Sequence, residues 1–329
     1  MRLHENKALF SDAIQAAAQK FQIPEIYVEK DYWVTLALSG IFSSKFAVDA
    51  VFKGGTALSK CHRIIQRFSE DIDMVALRRD GDTDSRMAAK LKSFSDAIKA
   101  DMPEVPLEGI TNKKGMIRKT AHEFPKMGFT GVYGQVRPQI VLESTWLGRP
   151  EPYEQKLVGT YINDMMEEAT MKDIQDEYQM YPFQVQVLTV ERTLCEKIMS
   201  IVRFSFTEDP YQDLAKKIRH VYDLNRMLTQ EKIQSFLYGP EFETMLNLVG
   251  EDDVTSFKNN NQWLNNHPSS AVIFSKPKQT WELIRSAYLG SFADMVTAPL
   301  PPESDMIGTL TAIADRLGEV NWIVQPPTP

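Results

Sequence analysis

Apolar residues recur at helical spacing from the start of the chain. Ala8, Leu9, Phe10, Ile14, Ala17 and Phe21 line one side of residues 5–22, and Pro24 ends the run. A second helix is predicted over Ile26–Phe42. Its charged trio Glu29-Lys30-Asp31 stands ahead of an apolar run and reads as an N-terminal turn that favours acids. From Val48 the pattern changes. Val48–Phe52 reads as a strand running into Gly54-Gly55, Ala57–Arg67 as a helix and Ile72–Leu77 as a second strand. A helix over 83–101 carries Leu91, Phe94 and Ile98 as its apolar line. Val132–Tyr133 and Gln139–Glu143 read as strands, the latter alternating Ile140 and Leu142 against Gln139, Val141 and Glu143.

Beyond Pro182 helical patterns take over, at Thr189–Phe204, Pro210–Leu228, Gln230–Tyr238, Phe242–Leu248, Thr280–Phe292 and Ser304–Leu317. Short strand candidates remain only at Phe183–Leu188 and Ala271–Phe274. Pro299, Pro301 and Pro302 break the chain before the last helix, the tail from Gln325 reads as frayed, and no internal repeat is evident. The expected class is α+β. A mixed α/β domain with N-terminal helices fills 1–182, and a mainly helical domain fills 183–329.

Composition agrees with two soluble domains: 329 residues, 43% hydrophobic and 25% charged, which excludes a disordered or low-complexity chain. The net charge of −7 argues against a surface that coats nucleic acid or anionic membrane, while leaving room for a local basic patch. Cys61 and Cys195 stand far apart with no CxxC, and the five histidines form no cluster, so neither a zinc site nor a disulfide framework is indicated. The start lacks the apolar core of a signal peptide, and no apolar run reaches the ~18–20 residues of a membrane span. The reading is a cytoplasmic, reduced, soluble protein.

The chemistry concentrates in Phe52–Met74, FKGGTALSKCHRIIQRFSEDIDM. Asp71 and Asp73, two apart on a strand, project to the same side. Two such carboxylates repel unless a cation neutralises them, which Mg²⁺ shared with substrate phosphates does. Gly54 and Gly55 let the backbone approach a ligand and leave N–H groups at a helix start, where phosphate is favoured. Thr56 and Ser69 add hydroxyls for phosphate oxygens. The plain alternative is a glycine turn followed by a charged strand end, which fits an isolated DxD better than this whole combination.

This segment resembles the signature of the DNA polymerase β-like nucleotidyltransferase superfamily, and within it the AbiEii/AbiGii toxin family. That family's GGTxLxK and RxSxDID appear as Gly54, Gly55, Thr56, Leu58 and Lys60, then Arg67, Ser69, Asp71, Ile72 and Asp73. Thr193 and Lys197 match its TxxxK, Arg219 and Asp223 its late Arg/Asp helix, and Glu143 in PQIVLES its further acid. The resemblance implies a polymerase β-like core, a mixed sheet with flanking helices, and a helical C-terminal domain that contributes the Lys197 and Asp223 motifs. It also implies Mg²⁺ or Mn²⁺ on Asp71, Asp73 and Glu143, with NTP as substrate. Asp71, Asp73, Lys197 and Asp223 would be catalytic, and Gly54, Gly55, Thr56, Lys60, Ser69, Thr193 and Arg219 would bind nucleotide. Each late motif also has a plain reading: Lys197 as a solvated helix lysine, and Arg219 with Asp223 as an i, i+4 ion pair. His220 reads as a packing residue.

The resemblance further implies the toxin of a type IV toxin–antitoxin pair, with a winged-helix antitoxin encoded nearby and the 3′ end of tRNA as acceptor. The segment 111–126 suits an RNA-facing loop through Lys113, Lys114, Arg118 and Lys119, or else a solvated loop that compensates nearby acids. Other readings are transfer to a protein or small-molecule hydroxyl, and a catalytically silent nucleotide-binding protein that serves a partner.

Overall fold

Asn6 caps the first helix by accepting the Leu9 amide, and α1 (Lys7–Phe21) closes on Gln22 in the left-handed conformation, one residue short of Ile23-Pro24. The computed structural model describes residues 1–129, 137–257 and 260–326. The strand expected at Val132–Tyr133 lies outside the described residues. Two compact units divide the chain. The first takes Met1–Arg63, Phe68–Trp146 and Tyr153–Leu188, and the second takes Ile64–Arg67, Leu147–Pro152 and Thr189–Pro329.

In the first unit α1 is followed by α2 (Glu25–Phe42), β1 (Ala50–Lys53), α3 (Gly54–Lys60), β2 (Ile72–Ala76) and α4 (Asp84–Ile98). Then come β3 (Glu104–Val105), β4 (Ile117–His122), β5 (Ile140–Thr145), β6 (Tyr153–Val158), α5 (Tyr161–Glu168), α6 (Lys172–Tyr178) and β7 (Phe183–Leu188). The seven strands form one sheet in the order β3-β4-β5-β2-β1-β7-β6. β2 runs parallel to β5 and β1 to β7, while β1–β2 and β4–β5 are antiparallel, so the sheet is mixed with flanking helices, as expected.

Period-two alternation decides what each face carries. Phe52, Ile72, Met74, Ile140 and Leu142 join Trp33, Leu38, Leu91 and Phe94 in one core. Their odd-numbered neighbours Lys53, Asp73 and Glu143 therefore lie on the opposite face. That choice of faces places the charged residues in one row.

Several local expectations change. The helix predicted over Ala57–Arg67 ends at Lys60: the Cys61 and His62 amides both fold back on the Ala57 carbonyl, and Arg63 takes a φ of 53° that stops it. The basic segment 111–126 is not a loop throughout, because β4 occupies Ile117–His122 between β3 and β5. Glu29, Lys30 and Asp31 are not the N-terminal turn of their helix. They form the second turn of α2 and are 1%, 0% and 7% exposed.

The second unit contains α7 (Val190–Phe204), α8 (Pro210–Lys216), α9 (Ile218–Leu228), α10 (Glu231–Tyr238), α11 (Glu241–Ser256), α12 (Val272–Ser275), α13 (Pro277–Leu289) and α14 (Glu303–Gly318). Thr189 caps α7 through the Arg192 amide. The single helix expected over Pro210–Leu228 divides at Lys217, whose amide turns back to the Leu214 carbonyl. Ala271–Phe274 is helical rather than a strand, as the Ser275 amide reaches the Ala271 carbonyl; so short an apolar run has no periodicity to read. Asp252 in α11 anchors two guanidiniums, Arg192 at 2.6 Å and Arg149 at 2.9 Å. No helix of the described residues is long and apolar enough to cross a membrane.

Candidate active site

β1 delivers the chain into Gly54, which adopts a φ of 80°. A Cβ there would stand 3.2 Å from the Cβ of Asp73 and closer still to its carboxylate. Gly54 is thus required twice, for its backbone conformation and for the approach of the turn to the DxD strand. Gly55 follows as the second residue of α3, which at seven residues is too short to bring much dipole to a phosphate. Gly54→Ala is expected to cost about 1–3 kcal/mol in urea unfolding from backbone strain alone. It is also expected to reduce activity further by pushing Asp73 aside.

Thr56 is buried, and its hydroxyl donates to the Asp71 carbonyl at 2.6 Å while meeting Ser69 Oγ at 3.0 Å. The Thr56 hydroxyl, expected on phosphate, grips the backbone that presents Asp71, and Ser69 backs that hydroxyl. Asp71 stands just ahead of β2 and Asp73 is its second residue. Register aligns Lys53 with Asp73, Asp73 with Glu143, and Glu143 with Lys119. One row across four strands therefore reads cation, anion, anion, cation. Lys119 Nζ meets Glu143 Oε2 at 2.8 Å, and Arg137 Nη1 meets Asp71 Oδ1 at 2.9 Å.

Burial, with the neighbouring charges of Asp71 and Glu143 in support, pushes the Asp73 carboxyl up to about 7. A site that resists ionisation of a carboxylate is one that a divalent cation would relieve, so the donor chemistry fits such an ion. Among the described residues no three His, Cys, Asp or Glu side chains gather closely enough to hold a metal by themselves. That suits Mg²⁺, which takes one or two carboxylates and completes its shell from phosphates and water. Glu143 lies next in register, with its carboxylate engaged by Lys119.

The second unit holds a separate charged knot. Arg67 grips Asp223 with two parallel bonds of 2.7 Å, and Lys197 donates to the same carboxylate at 2.7 Å. Burial opposes the charge on Asp223, but the Arg67 guanidinium and the Lys197 ammonium outweigh it and hold the carboxyl well below the usual range. His220 Nδ1 lies 3.4 Å from Lys197 Nζ, and burial, aided by Lys197, drives its pKa far down. The ring is therefore neutral, with Nδ1 the acceptor. Lys197 is thus not the solvated lysine of the plain reading. Thr193, one turn earlier on α7, is buried and bonds the Thr189 carbonyl, while Arg219 on α9 is half-buried.

Other expected residues are placed differently. Lys60 turns its ammonium to the buried Asp31, whose second oxygen accepts the Tyr161 amide at 3.0 Å. Lys113 pairs with Glu104, Arg118 bonds Ser95 at 2.8 Å and lies 3.9 Å from Glu104, and Lys114 is exposed. Sequence reasoning missed Arg137 and the α2 trio. A buried reading of three consecutive charges would have needed the apolar run around them as its cue.

A family model for the AbiEii nucleotidyl transferase toxin of type IV toxin–antitoxin systems matches residues 36–307. Among solved structures the chain is similar to MenT4, a nucleotidyltransferase toxin from Mycobacterium tuberculosis H37Rv. The identity is 15% and the TM-score 0.45, over 93% of this chain and 98% of that one. No curated protein matches the sequence. The family match begins within α2, includes residues of both units and ends within α14, so the chain belongs to the AbiEii family of nucleotidyl transferase toxins.

Proposed function

We propose that the chain transfers a nucleoside monophosphate from an NTP to the 3′ end of tRNA in the cytoplasm, with Asp71 and Asp73 holding Mg²⁺ or Mn²⁺. The observation that carries this reading is the Gly54 turn seated against Asp73, in a row where Lys53 and Lys119 flank Asp73 and Glu143. Held by Asp71 and Asp73, such a cation would neutralise phosphate charge and supply Lewis acidity. The acceptor hydroxyl attacks the α-phosphorus, loses its proton to solvent, and breaks the α–β anhydride bond to release pyrophosphate. Thr56, backed by Ser69, fixes the Asp71 backbone, and Lys53 and Lys119 limit repulsion along the row. Gly54 and Gly55 leave the backbone bare toward phosphate, and Lys197, oriented by Asp223, is a phosphate-binding charge. Thr193 and Arg219 belong to the same nucleotide-binding set. An antitoxin of winged-helix type is the regulatory partner proposed for it.

One observation favours a second acceptor. Lys113, Arg118 and Lys119 already face Glu104 and Glu143, which leaves the basic segment a weaker RNA contact than its charge suggests. A protein or small-molecule hydroxyl is the alternative. Labelled NTPs incubated with the protein, Mg²⁺ and a whole-cell extract separate the two. Label in the tRNA fraction is expected, and label confined to protein or small molecules overturns the acceptor assignment.

A further inference from the structure

Lys30 is completely buried on α2, ahead of the span matched by the family. Its ammonium donates to the carbonyls of Arg137 and Gln139 and forms an ion pair with Glu70 Oε2 at 3.0 Å. The other oxygen of Glu70 accepts the Arg137 amide at 2.8 Å. Both backbone polar groups of Arg137 are therefore gripped by one buried ion pair, its N–H by Glu70 and its C=O by Lys30. A buried pair of this kind contributes little net stability compared with an apolar pair of similar size, so its geometry calls for another explanation. The adjoining residue Glu29 accepts the Met127 amide at 2.6 Å, so the same turn of α2 also holds the chain at Met127.

The side chain of Arg137 is the outcome of that grip. It is 40% exposed, and its guanidinium rests on Asp71, the residue that follows Glu70. An arginine fixed on a carboxylate and open to solvent has the planar donor fork that suits phosphate oxygens equally well.

The geometry points to Arg137 as a further functional residue, held by the Lys30–Glu70 pair so that its guanidinium occupies Asp71 in competition with the divalent cation. This rests on the reading of Asp71 as a cation ligand. Lys30 and Glu70 are positioning residues that act through Arg137. A cation held by Asp71 would displace the guanidinium, leaving Arg137 with its donors open to phosphate oxygens.

The test is Mn²⁺ binding to the full chain without nucleotide, followed by electron paramagnetic resonance of free Mn²⁺. Arg137→Ala removes the competitor and is expected to tighten Mn²⁺ binding about two- to fivefold, the range set by a half-exposed ion pair. In turnover assays the same variant is expected to raise KM for NTP more than it lowers kcat. The double variant Lys30→Met/Glu70→Leu frees Arg137 without stranding a charge and should tighten Mn²⁺ binding in the same direction. Combined with Arg137→Ala it should add nothing further. Should the double variant fail to fold, Glu70→Gln takes its place with a smaller shift of the same sign.

Unchanged Mn²⁺ affinity in Arg137→Ala overturns the competition. Additive effects in the combined variant overturn the positioning role. Asp71→Asn separates these results from the underlying reading: it should weaken Mn²⁺ binding at least tenfold, and if it does not, Asp71 is no cation ligand and the proposed function itself falls.

Discussion

Asp73→Asn is expected to lower nucleotide transfer by about a thousandfold or more, because a lost cation carboxylate removes several kcal/mol of charge stabilisation. The same change should not harm the metal-free fold. Asp73 titrates at about 7 in the folded chain against an ordinary 3.8. Between those values the native state keeps a proton that the unfolded chain has released, so the stability of the metal-free protein falls as pH rises through that window. The asparagine variant carries no such proton and should lose that part of the decline. Chemical denaturation at pH 4 and pH 8, with and without Mg²⁺, reads the effect. A variant that transfers nucleotide at the parent rate would remove Asp73 from the chemistry.

Asp223→Leu is expected to cost about 3–5 kcal/mol, since it leaves Arg67 and Lys197 as neighbouring buried cations with their shared anion gone. Asp223→Asn should fall in the same range because the amide keeps the size but not the charge. The pH dependence runs opposite to that of Asp73. The depressed carboxyl contributes stability that is complete above its unfolded value and is lost as the solution is acidified below about pH 4. Urea midpoints of parent and variant should therefore converge toward low pH. A variant as stable as the parent at pH 7 would mean that the knot relaxes around the loss.

The Gly-Gly turn, the DxD and the alternating strand at Gln139–Glu143 were legible in the sequence because each is a local pattern with a fixed period. Partner choice was not. Asp223 finds Arg67 across 156 residues, and Asp71 finds Arg137 across 66, distances at which spacing says nothing. Arg219, four residues from Asp223, offered a local partner that left no reason to look further. The strand β4 was hidden by its own charges, because Arg118 and Lys119 look like solvent residues until Glu104 and Glu143 are set beside them. Likewise the α2 trio matched the acid preference of a helix start, and only tertiary packing turned it into three buried anchors.

The helical unit draws Ile64–Arg67 and Leu147–Pro152 from sequence that is otherwise the first unit's. A fragment begun at Thr189 would carry Asp223 without Arg67 and Asp252 without Arg149. Heredity meets the same constraint. An exchange between relatives at that junction inherits Asp223 and Asp252 from one parent and Arg67 and Arg149 from the other, so these pairs must descend together or change in step. The unit is a single body in space written in three places along the gene.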